Sequence, residues 1–367
     1  MRITDLGIFG YRLPLIRPVV IKGQSLLTRS GYLIRMTSDR GATGWGDIAP
    51  LPGLSPEKLE DTRDQVFHLR SSIQEVEVPE TWSPLMGDLP PLPHTSDCSS
   101  AVRFAIELAL WNLCLDTGRS SAAHNDKQSF RQPVFLNGLL TGTEDEIVNQ
   151  ASQLTRSGYR AVKVKVGGKL LEEDIRLTLN VREVIGNETL LRLDANRAWS
   201  LEDAVWFGRA VKGSNVDYIE EPLADPAGMA TFFAACDLPV ALDESLLEYP
   251  FEKLAKIQGI KAIVLKPTLL GGIRASSRLA HKARQFGLQP VVSSSFETGV
   301  GIAGLARLAA AVSRDIPVGL DTYRWLATDV VLPMIETQKG YIDLELLERR
   351  PLEINHPLLE ELTPIQR

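Results

Sequence analysis

Cysteine is scarce in this chain of 367 residues: only Cys98, Cys114 and Cys236, with no CxxC pair among them. That excludes a disulfide scaffold and a thiolate metal centre, and sparse unpaired thiols fit a reducing compartment. Basic charge is not in excess. Forty Lys and Arg stand against 46 Asp and Glu, a net charge of −6. A dedicated nucleic-acid binder carries a basic excess or stripe, so nucleic acid is not an expected partner. Nor is there an apolar run near the ~18–20 residues of a membrane span. The opening MRITDLGIFGYRLPLIRP alternates like a strand and lacks the apolar stretch and cleavage site of a signal peptide. The chain reads as cytoplasmic, with no membrane partner. Its 44% hydrophobic and 23% charged residues are those of a globular protein able to bury a large core.

The texture changes once along the chain. Residues 2–20 and 31–37 have strand character, and GWGDIAPLPGLSPE then reads as a Gly/Pro-rich loop. Ser55-Pro56 is a helix-start signal, and the spacing predicts helices over 56–74 and 100–116. Five prolines between 79 and 93 exclude regular structure between them. This is an α+β module over residues 1–132. From 133 to 330, eight short apolar runs recur, most of them 23 to 29 residues apart: VFLNG, VKVKV, LLRLD, DYIEE, PVALDE, AIVLKP, PVVSSS and IPVGLD. Continuously apolar strands at that beat are β-α units buried on both faces, which points to a (β/α)8-type barrel. A doubly wound sheet would give no reason for eight equal steps. Residues 331–367 are too few for a domain and are expected to pack back on the first module.

In such barrels chemistry sits at the C-terminal ends of the strands. The second run ends in Lys163 and Lys165, the third in Asp194, the fourth in Glu220 and Glu221, the fifth in Asp243 and Glu244, and the sixth in Lys266. A single strand-end acid is often a helix cap, and a single lysine is usually on the surface. Five successive strand ends are harder to dismiss. Asp194, Glu220 and Asp243 would repel one another without a cation, and oxygen donors without His or Cys suit Mg²⁺, with Mn²⁺ as a substitute. Lys163 and Lys165 are two apart, so they share a face. A lysine beside other positive charge is pushed towards its neutral form and can serve as a general base. Glu221 and Glu244 each follow a proposed ligand and are expected to point away from it. The serine-rich end of the seventh run, 293–295, could hold a carboxylate or merely cap a helix.

With VKVKVG, LRLDANRAW, YIEEP, ALDES and VLKPTLLGG in place, the sequence resembles the enolase superfamily, in its muconate-lactonizing subgroup. GWGDIAPLPGLSPE resembles the substrate-covering loop of the capping domain in that subgroup. Within it, LRLDANRAW, VVSSSFETGVGIAGLARLAA and GLDTY resemble the o-succinylbenzoate synthase family. The resemblance implies a (β/α)7β barrel with an N-terminal α+β capping domain completed by the C-terminal segment. It implies a small carboxylate substrate and Mg²⁺-dependent dehydration of 2-succinyl-6-hydroxy-2,4-cyclohexadiene-1-carboxylate through an enediolate, a step in quinone biosynthesis. Lys165 would be the base, Lys266 would stabilise the enediolate, and Lys163 would tune Lys165. Asp194, Glu220 and Asp243 would bind the metal, with Arg192 and Asn196 orienting ligands around it. Gly53 and its neighbours in the 50–55 loop would close over the substrate, and Ser294 and Ser295 would meet its succinyl tail.

Other readings remain open on the sequence. An N-acylamino acid racemase or dipeptide epimerase would use the same two lysines, and Asp321 could receive an ammonium group. Muconate cycloisomerisation, a Schiff-base aldolase and a non-catalytic barrel are further options. The oligomeric state is not legible.

Overall fold

The computed structural model describes residues 1–363 except 22, 86–89, 91, 93, 118–131, 338 and 350–352. Two of the five prolines, at 91 and 93, therefore lie outside the described residues. The first module opens with a long hairpin. Strands β1 (Ile3–Ile21) and β2 (Gln24–Ser38) pair antiparallel, and β3 (Thr43–Ile48) adds beside β2.

GWGD is thus strand rather than loop. Its glycines serve close packing: a Cβ on Gly44 or Gly46 would stand 2.0 Å from the backbone oxygen of Ala109 or Ala105. Those oxygens belong to the helix Ser100–Asp116, which lies directly on β3. That helix has the predicted bounds. The earlier one runs Leu59–Ile73 and starts later than Pro56, because Ser55 is otherwise engaged. Its hydroxyl oxygen accepts the Leu51 N–H at 2.8 Å and closes the 51–55 loop instead of capping a helix.

The barrel follows. The first apolar run divides. Strand β4 (Val134–Phe135) pairs antiparallel with Tyr341–Ile342, and β5 (Asn137–Leu140) begins the parallel sheet. Strands β6 (Ala161–Lys165), β7 (Leu190–Asp194), β8 (Val216–Glu220), β9 (Val240–Leu242), β10 (Ile260–Leu265) and β11 (Gln289–Val292) add in chain order. The eighth run contributes only residues 318 and 319, bridging Leu136 on one side and Ser293 on the other. Asn137 N–H reaches Val318 O at 2.8 Å and Ser294 N–H reaches Gly319 O at 3.0 Å, so the ring closes through this segment. At the chain's far end, Glu360–Glu361 pairs with Phe9 and Gly10 of β1.

Two carboxylates of the first module fix it onto the barrel. Asp47 in β3 accepts the Thr298 N–H and hydroxyl at 2.8 and 2.9 Å, at the start of the helix Gly299–Val312. Glu107 accepts the Arg274 N–H at 2.9 Å, at the start of the helix Ile273–Gln285. Each supplies an acceptor that a helix N-terminus lacks within itself. These two helices follow β11 and β10, so the module is registered against the ends of those two strands. Among the described residues no helix is long and apolar enough to cross a membrane.

Candidate active site

Parallel pairing sets the register of the strand ends. Lys165 lies beside Asp194, and Asp194 beside Glu220. Lys163 and Lys165 share a face, as their spacing predicts, and both line a cavity of about 900 Å³ at this end of the barrel. That is ample for a small-molecule site. Asp194, Asn196, Glu244 and Lys266 join them on its lining, while Glu220 and Asp243 stand behind it.

The acids and lysines interlock. Lys163 Nζ lies 3.1 Å from Asp194 Oδ2 and 2.9 Å from Glu220 Oε2. Lys266 pairs with Asp243. Lys165 has no ion-pair partner among the described residues. Burial alone would lower Lys163 and Lys266, but Asp194 and Glu220 hold the first, and Asp243 the second, above the usual lysine range. Burial alone would raise Asp194; the three lysines outweigh it and hold Asp194 below its ordinary value. Glu220 is pushed up to about 7, by burial and by the charges of Asp194 and Asp243 beside it. Carboxylates driven apart in this way are crowded like charges.

Among the described residues, no three His, Cys, Asp or Glu side chains close on a common point as a finished metal cage. The ammonium groups of Lys163 and Lys266 stand against the acids instead. The donor chemistry nevertheless fits a hard divalent cation. Four carboxylates (Asp194, Glu220, Asp243 and Glu244) gather with no nitrogen or sulfur ligand, and Glu244 Oε2 is buried without a hydrogen-bond partner.

Four sequence expectations need correction. Arg192 does not reach the cavity. It points into the barrel below Asp194, with Nε 2.9 Å from Asp217 and Nη1 2.7 Å from Pro317 O. It ties strands together rather than touching a ligand. Ser295 is off the wall, which Ser293 and Ser294 form. Gly53 (φ 81°) makes the loop's turn, while Leu51 and Leu54 provide its contact with the cavity. Glu244 faces the cavity instead of pointing away. Strand β9 ends at Leu242, and Glu244 is helical at φ −61°, ψ −33°, so strand alternation no longer applies to it. Asn196 does lie on the wall, its amide 3.4 Å from Glu244 Oε1.

Glu221 has a role that its position alone did not disclose. Its Oε1 accepts the N–H groups of Asp243 and Ser245 at 2.8 and 2.9 Å, and its Oε2 accepts Ser245 Oγ at 2.7 Å and Arg197 Nε at 3.2 Å. It therefore sets where the chain turns at Asp243.

One part of the lining is apolar: Val19, Ile21, Leu51, Leu54, Phe296 and Trp325 pack as one cluster. Arg17 brings positive charge there, its guanidinium 4.0 Å over the Trp325 ring. No motif marked Arg17 or Trp325, because they meet only when β1 crosses the barrel mouth. Asp321 is also on the wall, and its buried carboxylate is paired within the protein. It accepts the Tyr159 hydroxyl at 2.7 Å, the Leu139 N–H at 3.0 Å and Arg324 Nε at 2.7 Å.

A strand-end array of lysines and acids under a capping module defines a class. Residues 146–348 match the family model for the enolase C-terminal domain-like fold, and residues 3–90 match that for the MenC N-terminal domain. The chain belongs to the enolase superfamily of enzymes. It is 31% identical to the o-succinylbenzoate synthase of Haemophilus influenzae, over 93% of this chain and 96% of that one. It is 30% identical to Protein PHYLLO, chloroplastic, of Arabidopsis thaliana, and spans 22% of that longer protein. Among solved structures, the L-Ala-D/L-Glu epimerase of Bacillus subtilis superposes with a TM-score of 0.79 at 22% identity, covering 96% of this chain and 98% of that one. MenC from Desulfotalea psychrophila gives 0.75 at 23%, covering 94% and 100%. The fold is common to both activities and does not separate them.

Proposed function

We propose that the protein is an o-succinylbenzoate synthase, which removes water from 2-succinyl-6-hydroxy-2,4-cyclohexadiene-1-carboxylate by syn elimination. The observation that carries this reading is the division of the cavity. Its lining holds lysines and acids and, as a separate packed cluster, apolar side chains with Arg17 over Trp325. A ring bearing a carboxylate at one end and a succinyl tail at the other suits that division. The full-length similarity to synthases supports it.

Asp194, Glu220 and Asp243 would hold Mg²⁺, which when bound neutralises the charge that grows on the substrate carboxylate. Lys165, free of an ion pair, takes the α-proton and returns it to the departing hydroxide on the same face. Lys266, held protonated by Asp243, faces the developing negative charge. Lys163 stays charged between Asp194 and Glu220 and aligns Lys165. The apolar wall orients the ring and excludes water.

The engagement of Asp321 weighs against a dipeptide substrate. Its carboxylate is buried and already accepts three hydrogen bonds, from Tyr159, Leu139 and Arg324, so an ammonium group would compete there with a paired Arg324. An N-acylamino acid has no ammonium, and Lys165 and Lys266 would serve its racemisation equally well. This is the second reading.

The test is ultraviolet loss of the cyclohexadiene, with Mg²⁺ and again with EDTA. Expected is Mg²⁺-dependent turnover that falls at least ~10²–10⁴-fold in Lys165→Ala, the usual loss on removing a general base. Retained turnover in that variant would remove Lys165 from its role. If an Mg²⁺-binding protein leaves the diene intact but exchanges the α-proton of an N-acylamino acid for deuterium, the racemase reading replaces the synthase.

A further inference from the structure

Arg29 is buried at 2% exposure and forms no ion pair among the described residues. Its guanidinium has five N–H donors, and each meets a backbone carbonyl. Nε donates to Phe296 O at 2.9 Å. Nη1 donates to Ser30 O at 3.1 Å and Pro50 O at 2.9 Å. Nη2 donates to Ala49 O and, at 3.3 Å, to Ser295 O. Four of these carbonyls lie on two segments far apart in sequence: 49–50, opening the capping loop, and 295–296, following β11.

Burying a charge is expensive even with the Asp47 carboxylate near enough to feel it, and the direct contacts of Arg29 are all backbone carbonyls, so its position calls for a reason. The reason lies in the side chains just beyond those carbonyls. Leu51 and Leu54 on one segment, and Phe296 on the other, form the apolar wall together with Trp325. Phe296 stands at φ 62°, a left-handed conformation that a non-glycine residue seldom adopts, and its ring meets Trp325 edge-on at 6.4 Å. Arg29 grips the carbonyl of that strained residue.

We infer that Arg29 is a positioning residue: it clamps the capping loop to the seventh strand end and so fixes the spacing of the apolar wall that selects the substrate's ring. The inference rests on the cavity being the substrate site. Arg29 lies behind the wall and touches no reacting atom, so its effect falls on binding. A lysine keeps the charge but offers three donors without the planar fork, and cannot hold both segments.

The experiment uses the full-length Mg²⁺-loaded enzyme and its Arg29→Lys variant. Two measurements are made: hydrogen exchange, and steady-state kinetics on the cyclohexadiene. Expected is faster exchange in residues 49–55 and 293–297 together. KM should rise about tenfold or more while kcat moves less than about threefold, the pattern of lost uniform binding. Exchange that is unchanged, or faster in only one segment, overturns the clamp. A matched fall in kcat with KM unmoved overturns the positioning role. Arg29→Ala with added guanidinium is the second variant. Recovery of KM supports the inference, and a folded variant that guanidinium leaves unchanged counts against it. If the wild type fails to turn over the cyclohexadiene, the functional reading falls. The exchange measurement needs no substrate and still decides the clamp.

Discussion

Replacing Glu221 by glutamine tests whether one buried carboxylate builds the turn that presents Asp243. The side chain is fully buried and accepts four hydrogen bonds. A glutamine can keep its oxygen towards the N–H groups of Asp243 and Ser245. Its amide nitrogen then faces Ser245 Oγ, which can accept, and Arg197 Nε, which cannot. One charge-assisted bond is lost, worth about 1.5–3 kcal/mol. An expected destabilisation of about 2 kcal/mol follows for Glu221→Gln. Glu221→Ala strands two buried N–H groups as well, at about 1–3 kcal/mol each, for a total of about 4–8 kcal/mol. Urea unfolding followed by tryptophan fluorescence reads both values. Because the Asp243 backbone is held by the same oxygen, Mg²⁺ affinity measured by calorimetry should fall about 10–100-fold, as for other outer-sphere partners of metal ligands. Glu248, the exposed second partner of Arg197, is the control. Glu248→Gln should cost less than about 1 kcal/mol. A Glu221→Gln protein within about 0.5 kcal/mol of wild type, with unchanged Mg²⁺ affinity, would refute the reasoning.

Two further outcomes are expected. Gly46→Ala places a Cβ 2.0 Å from the Ala105 carbonyl, and neither backbone can yield cheaply. It should cost about 1–3 kcal/mol or more in denaturant, whereas a loss under about 0.5 kcal/mol would show that the helix can move off β3. Asp329 is raised to about 6 by burial, which outweighs the hydrogen bonds from Tyr323, Gly299 and Val330. Its folded-state value lies above the unfolded one, so its contribution is full below about pH 4 and is lost as pH rises through about 6. At about 1.4 kcal/mol per tenfold change in proton affinity, the swing is on the order of 3 kcal/mol. Wild type should therefore lose stability relative to Asp329→Asn between about pH 4 and 6.5, with the difference level above that. A difference that stays flat across that range would clear Asp329 of the effect.

Much of the architecture was legible because barrel strands are apolar on both faces and return at a regular step. The strand-end lysines and acids stood out for the same reason: parallel register places the last residues of neighbouring strands side by side, so Lys165, Asp194 and Glu220 had to be adjacent. Local patterning failed where the chain leaves regular structure. Glu244 escaped the alternation rule one residue past a three-residue strand. GWGD looked like a loop because glycine usually marks turns, yet here it marks contact with a helix more than fifty residues away. Arg192 sat beside Asp194 in the motif, but one pleat lower the same face is barrel interior rather than mouth.

The sequence by itself determined the repeat, the strand ends and the chemical character of the polar wall, since each depends on spacing within one element. Only the tertiary structure decided the apolar wall, the pairing of Asp321 and the Arg29 clamp. Each joins segments more than 150 residues apart, and nothing local to any one of them encodes the approach of another.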